Sequence, residues 1–240
     1  MLACGRRIVA RSGVRGLTVR GVALQAKVNL GTFVYHFGTR DDFIAELMES
    51  WYAPLYAQLL DVTVDESLPP LQRLRRFMLR LAAFMADNRK FVRHLFLDAA
   101  GGEQQAIRFI RSMVGRHPLL GFRLVREAQA AGELRAGDPV KLGTVLFGAT
   151  LFPTILLGLV MPDNLLAADI QPFLHDVFQP QAIEARLDLV LAGLAPVQRA
   201  GSRRAAAIPA KLPGKDKKMK KGKDMTSPRK SPRPRPETRP

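Results

Sequence analysis

Apolar positions recur along this chain at intervals of three and four, the spacing that keeps one side of an α-helix dry, and no stretch alternates long enough to make a useful strand. The pattern predicts a short helix over 2–11 closed by Ser12-Gly13, a second from Thr18 to about Ala26, and a third from Asn29 through His36. Thr39 opens a fourth that runs towards Leu60 with a kink at Pro54. In Thr39-Arg40-Asp41-Asp42 the acid three residues after the hydroxyl makes a capping box. Leu71, Leu74, Met78, Leu81 and Met85 then form a helical stripe that Phe77 and Phe84 widen. Shorter helices are expected over 89–99 and 103–116, with Pro118 interrupting the path before a helix that ends near Ala131. Asp138 and Pro139 read as the cap and first residue of the next helix, and a last one near 181–194 aligns Ile183, Leu187, Val190 and Leu194. The fold class is all-α.

From Leu142 to Pro162 there is no charged residue, a length that could span a bilayer. Thr144, Thr150, Thr154, three glycines and Pro153 interrupt it, and no second such span exists. A buried or dimer-facing helix is the preferred reading, with no membrane partner. After Ala195 the composition changes to Lys, Arg, Pro, Ser and Gly. Such a segment cannot bury enough apolar surface to offset its ordering entropy, so 196–240 reads as a disordered basic tail.

Charge sharpens this division. The chain carries +16 overall, of which residues 1–40 hold +7 with no Asp or Glu, 41–195 hold −3, and 196–240 hold +12. A near-neutral body with basic ends suits a polyanion bound at one end, which composition alone leaves open between nucleic acid and an anionic membrane. The single Cys4 excludes an intrachain disulfide and fits a reducing cytoplasm, and the N-terminus lacks the apolar run of a secretory signal. His94, His117 and His175 have no partners at metal-ligand spacing, so neither a metal nor a cofactor is expected, and no catalytic constellation marks an enzyme.

The informative stretch is residues 13–43, where two short helices joined by a tight turn read as a helix-turn-helix. Val19, Val22 and Ala23 supply the inner face of the first helix, and Phe33 and Phe37 anchor the second. Thr18, Asn29 and Thr39 each open a helix, whose free amides suit a phosphate. Arg20, Lys27 and Arg40 lie near these ends and add cations. The outer face of the second helix presents Leu30, Gly31, Thr32, Val34, Tyr35 and His36 to a groove of double-stranded DNA. Gly31 permits close backbone approach, Thr32, Tyr35 and His36 suit phosphates or bases, and Leu30 or Val34 suits a thymine methyl.

These residues resemble the TetR family of bacterial transcription regulators, through G-L-T-V-R-G-V-A, V-N-L-G-T-F-V-Y-H-F and T-R-D-D-F, and more loosely through A-G-E-L-R-A-G-D-P before the apolar helix. The resemblance implies a helix-turn-helix DNA-binding domain over 1–45 and a helical ligand-binding and dimerisation domain over 46–195. It implies a homodimer paired through the 142–160 and 181–194 helices, and a small-molecule effector, hydrophobic in an apolar cavity. Phe77, Met78, Phe84, Phe96 and Phe122 are the candidates to line that cavity, ordinary core being the preferred reading of any single one. Effector entry would move the fourth helix so that the two recognition helices no longer match major grooves about 34–36 Å apart. The expected function is an operator-binding repressor, cytoplasmic and nucleoid-associated, with a nucleoid-type protein of little sequence preference as the alternative.

The chain departs from the family pattern at four points. Gly21 replaces an acidic capping residue, Lys27 replaces the turn glycine and must take the helix-ending conformation, and Val34 stands at an often aromatic position. The first helix also starts at Met1 itself, which implies a start codon upstream or a missing arm and first turn. For the tail, added sequence-independent DNA affinity through counterion release, minor-groove binding, a solvated extension and membrane-surface binding are the readings.

Overall fold

A computed structural model describes residues 1–160 and 176–196. Ten helices account for the regular structure there: α1 (Leu2–Ser12), α2 (Val19–Ala26), α3 (Leu30–Phe37), α4 (Arg40–Val64), α5 (Pro70–Asp87), α6 (Arg89–Ala100), α7 (Gln104–Val114), α8 (His117–Ala130), α9 (Pro139–Val160) and α10 (Pro180–Gly193). No strand occurs among the described residues. The expected basic tail and His175 lie outside them, except for the first residue of the tail.

Local chemistry starts most of these helices where the sequence says it should. The Thr39 side chain accepts from the Asp42 amide while the Asp42 carboxylate accepts from the Thr39 amide, closing the capping box of α4. The helix then runs 25 residues, past the expected end near Leu60. Pro54 lies inside it without ending it, because Trp51, Tyr52, Leu55 and Leu59 are packed on both sides of the proline. Pro118 and Pro139 begin helices rather than break them, their missing amides falling where no partner is required.

One continuous core joins the helices. Phe43, Leu47 and Leu59 of α4, Leu74, Phe77 and Leu81 of α5, and Leu124, Val125 and Ala128 of α8 all belong to it. Residues Met1–Gln198 form one compact unit, and the boundary expected after residue 45 falls inside the unbroken α4. The continuous helix and the packing of α1 on α6 explain why the expected division leaves no gap in the packing.

The apolar segment packs against protein along one side. Pro139–Leu157 is long and apolar enough to cross a membrane by length and composition. In this fold Leu142, Leu146, Thr150, Leu151 and Thr154 are buried against α5, α6, α8 and α10. Arg186 of α10 donates to the Thr150 carbonyl at 3.2 Å and to the Thr154 hydroxyl at 3.4 Å. The outer side of α9 leaves Val145, Phe152 and Leu156 exposed, and Leu189 of α10, which packs on α9, is exposed as well.

Candidate nucleic-acid interface

The helix-turn-helix is assembled by three capped starts and one aromatic cluster. Thr18 Oγ1 accepts from the Gly21 amide at 3.0 Å, and Asn29 Oδ1 accepts from the Thr32 amide at 2.7 Å. With glycine at 21, α2 lacks the reciprocal half of a capping box, as the sequence implies. Phe33 is wholly buried, its ring 5.4 Å from Phe37 and 5.0 Å from Phe43, while Phe37 meets Phe43 edge-on at 4.8 Å. Val22 and Ala23 complete the inner face. Between α2 and α3, Lys27 takes φ 55° and ψ 41°, and it is the one non-glycine residue with positive φ among those described. The turn therefore holds the left-handed conformation a glycine would adopt more readily.

The opposite side of α3 faces outward. Leu30, Gly31, Val34, Tyr35 and His36 are exposed, and Thr32 is half-buried. Tyr35 protrudes furthest, at 86% exposure, with the His36 ring edge-on 5.2 Å away. The Thr32 hydroxyl donates to Asn29 Oδ1 at 2.9 Å, so it has a local partner. Thr18, Arg20 and Asn29 are exposed around this face.

Arg40 is a correction. Expected as a phosphate contact, it turns inward: Nε donates to the Leu17 carbonyl at 2.8 Å and Nη2 to the Val14 carbonyl at 2.7 Å. Its remaining charge meets Asp41 at 3.4 Å and Glu103 at 3.7 Å. The physical reason is that the segment linking α1 to α2 leaves carbonyls without helical partners, and a guanidinium satisfies two of them at once.

The same link is held from the other side by Asp98 of α6, a buried carboxylate that accepts from the Val14 amide at 2.5 Å. Gly13, at φ 76°, leaves no room for a side chain against that carboxylate. This joint was missed in the sequence. The signal was present, because Phe91, Val92, Leu95 and Asp98 share the buried face of α6, and an acid at an apolar register position requires a partner. A second missed cluster lies beneath α4. Tyr52 Oη and His117 Nδ1 share a hydrogen bond at 2.8 Å, and burial pushes the Tyr52 phenol up to about 12 and the imidazole down to about 4. Arg116 covers the Tyr52 ring at 5.4 Å and pairs with Glu49 at 2.9 Å.

Among the described residues the five candidate cavity residues line no single shared space. Phe77 and Met78 are fully buried in the core, with Phe77 edge-on to Phe147 at 6.5 Å. Phe84 packs on Trp51 at 4.8 Å. Phe96 lines a crevice of about 10 Å³ with Met85, Val92 and Ile155, and Phe122 lines a separate groove with Leu119, Leu120 and Val140. Large rings at helix crossings fill the space they would otherwise surround. A cleft of about 420 Å³ lies instead between α5 and α10, lined by Leu79, Ala83, Ala86, Phe178 and Ile183, with Asp87, Arg89 and Glu184 at its polar positions. Among the described residues no group of three His, Cys, Asp or Glu is placed to hold a metal.

No family model matches the chain. It is 35% identical over 144 residues to the transcriptional regulator AcuR of Cereibacter sphaeroides, covering 54% of this chain and 65% of that protein. Over 75 residues it is 31% identical to the transcriptional repressor KstR2 of Mycobacterium tuberculosis, covering 31% of this chain and 37% of that one. The chain thus matches less than two thirds of the length of these relatives. Among solved structures it is similar to KstR2 of M. tuberculosis, a ketosteroid transcriptional regulator, with a TM-score of 0.57 at 17% identity over 81% of this chain and 94% of that one. It is also similar to the regulator FadR of Bacillus subtilis in complex with stearoyl-CoA, with a TM-score of 0.62 at 15% identity over 80% and 97%. At these identities the structural likeness is one of fold.

Proposed function

We propose that this chain is a DNA-binding transcription regulator of the TetR family, a repressor that binds a palindromic operator as a homodimer and leaves it when a small molecule binds the helical body. The observation that carries the reading is the division of α3. Phe33 is locked against Phe37 and Phe43, while Leu30, Gly31, Val34, Tyr35 and His36 face outward beside capped helix ends in a segment of +7 charge. A short helix held by its inner side and offered by its outer side suits a major groove.

The pairing surface of this reading is the exposed apolar side of α9 and α10, around Val145, Phe152, Leu156 and Leu189. The effector site is the α5–α10 cleft, whose apolar walls and few polar groups suit an amphiphilic molecule. That class agrees with the stearoyl-CoA and ketosteroid named for the structural relatives. The Asp98 and Arg40 joint supplies a route from the body to the α1–α2 link, with a coupling on the order of 1–3 kcal/mol sufficient for release. The protein works in the cytoplasm on the nucleoid.

Footprinting upstream of the chain's own gene tests the reading, with and without acyl-CoA and steroid probes. The expected result is a two-fold symmetric protected block that one probe removes. Uniform protection of every fragment would instead favour the nucleoid-type alternative.

A further inference from the structure

We infer that this chain reads its operator mainly through thymine 5-methyl groups packed against Leu30 and Val34, with Gly31 admitting the α3 backbone to the groove floor; the inference rests on the operator-binding reading above. Within Leu30–Phe37 there is no Arg, Lys, Asn or Gln. Those are the side chains that form paired hydrogen bonds to guanine or adenine edges. The polar groups that α3 does carry are poorly suited to that task. The Thr32 hydroxyl is donated to Asn29 Oδ1, and Tyr35 and His36 each offer single-point contacts that phosphates satisfy equally well.

What α3 offers in their place is apolar. Leu30 is 46% exposed and Val34 is 52% exposed. One helical turn separates them, about 5–6 Å between Cβ atoms, or one to two base steps of about 3.4 Å. In the major groove the one apolar group a base presents is the C5-methyl of thymine. Branched side chains held on a rigid helix in a cationic segment therefore select duplex positions that carry that methyl.

Gly31 gives an independent reason to place the backbone close to the bases. It lies in the first turn of a regular helix, where glycine is the poorest former after proline. A Cβ there would meet only Asn29 Oδ1 at 3.3 Å, the end of a side chain. Apart from this tight contact with the oxygen that caps α3, the space beside Gly31 is open to the outside and lets the backbone approach a ligand closely.

The experiment uses the full chain and an operator enriched from random duplexes. Each half-site thymine is replaced by deoxyuracil, which removes the methyl and keeps every base-pairing group. Binding should weaken about fourfold per methyl lost from contact, the ordinary effect of burying one such group. Loss from both half-sites should cost on the order of tenfold. The double variant Leu30→Ala with Val34→Ala should bind thymine and uracil duplexes alike, and each single variant should lose part of the discrimination, with thermal melting near that of the unaltered chain because both side chains are exposed. Gly31→Ala should weaken binding to both. Equal affinity of the unaltered chain for thymine and uracil duplexes, with the footprint intact, overturns this inference and leaves the regulator standing. Failure to enrich any sequence, with uniform protection of all duplexes, removes both.

Discussion

Two surfaces of this molecule expose large apolar side chains, and they do so in different electrostatic settings. On α3, Leu30, Val34 and Tyr35 stand in a segment of six cations besides the inward-turned Arg40 and no carboxylate. On α9 and α10, Val145, Phe152, Leu156 and Leu189 stand on a helix without a charge from Leu142 to Val160 and on the outer side of its neighbour. Apolar exposure alone is the same signal in both places and names no partner. The charge around it separates them: a cationic rim draws a polyanion, while an uncharged, glycine-interrupted helix is complementary to another apolar helix, such as its own in a second copy.

The comparison breaks most easily at the second surface. Phe152→Glu combined with Leu189→Glu places carboxylates in the proposed seam, where desolvation costs several kcal/mol per ion. The expected outcome is a monomer by sedimentation and a loss of operator affinity on the order of 100-fold or more, because one half-site contact replaces two. A double variant that sediments and footprints like the parent would remove the seam from α9 and α10.

At the first surface the contrast can be drawn within one helix. Phe33→Ala deletes a wholly buried ring and should destabilise by about 3–5 kcal/mol, read as a lowered denaturation midpoint. Tyr35→Ala, two residues on, removes a side chain that is 86% exposed. It should change stability by no more than about 0.5 kcal/mol, while operator binding weakens several-fold. If both variants fold equally well, α3 is not divided as described.

Legibility followed the range of the interaction. The Thr39–Asp42 box, the Asn29 cap and the left-handed strain at Lys27 are set by residues within three or four positions, and the sequence declares them. Arg40 misled because its partners are carbonyls of Val14 and Leu17, which no side-chain pattern encodes. Asp98 was hidden for the same reason: its partner is a main-chain amide 84 residues away. The cavity candidates were ambiguous for another reason. Periodicity placed Phe77 and Met78 on an inner face, but whether an inner face surrounds space or fills it depends on the opposing helix, here Phe147 of α9.

Acid acts on neither surface but on the core they share. His117 lies at the first position of α8, where burial and the positive helix end both oppose its protonation. Its folded value of about 4 is below the ordinary 6.5, so the unfolded chain binds the proton first as pH falls. The fold keeps this contribution above pH 6.5 and loses it progressively between 6.5 and about 4, by up to roughly 3 kcal/mol. Urea denaturation across that window should show the loss, and His117→Gln should flatten it. An unchanged slope in the variant would assign the acid sensitivity elsewhere.

The smallest expected effect distinguishes the two surfaces most finely, because it should carry opposite signs in two assays. Lys27 holds a left-handed conformation that costs a residue with a Cβ roughly 1–2 kcal/mol. Lys27→Gly relieves that strain but adds freedom to the unfolded chain, about 0.5–1 kcal/mol, leaving a net gain of a few tenths to one. The melting temperature should therefore rise slightly. The same change removes a cation from the turn that precedes α3, so operator affinity should fall and its salt dependence lose about one counterion per protomer. A rise in stability with no change in the salt slope would show that Lys27 serves the turn alone, and that the cationic rim of the first surface is drawn from α1 and α2.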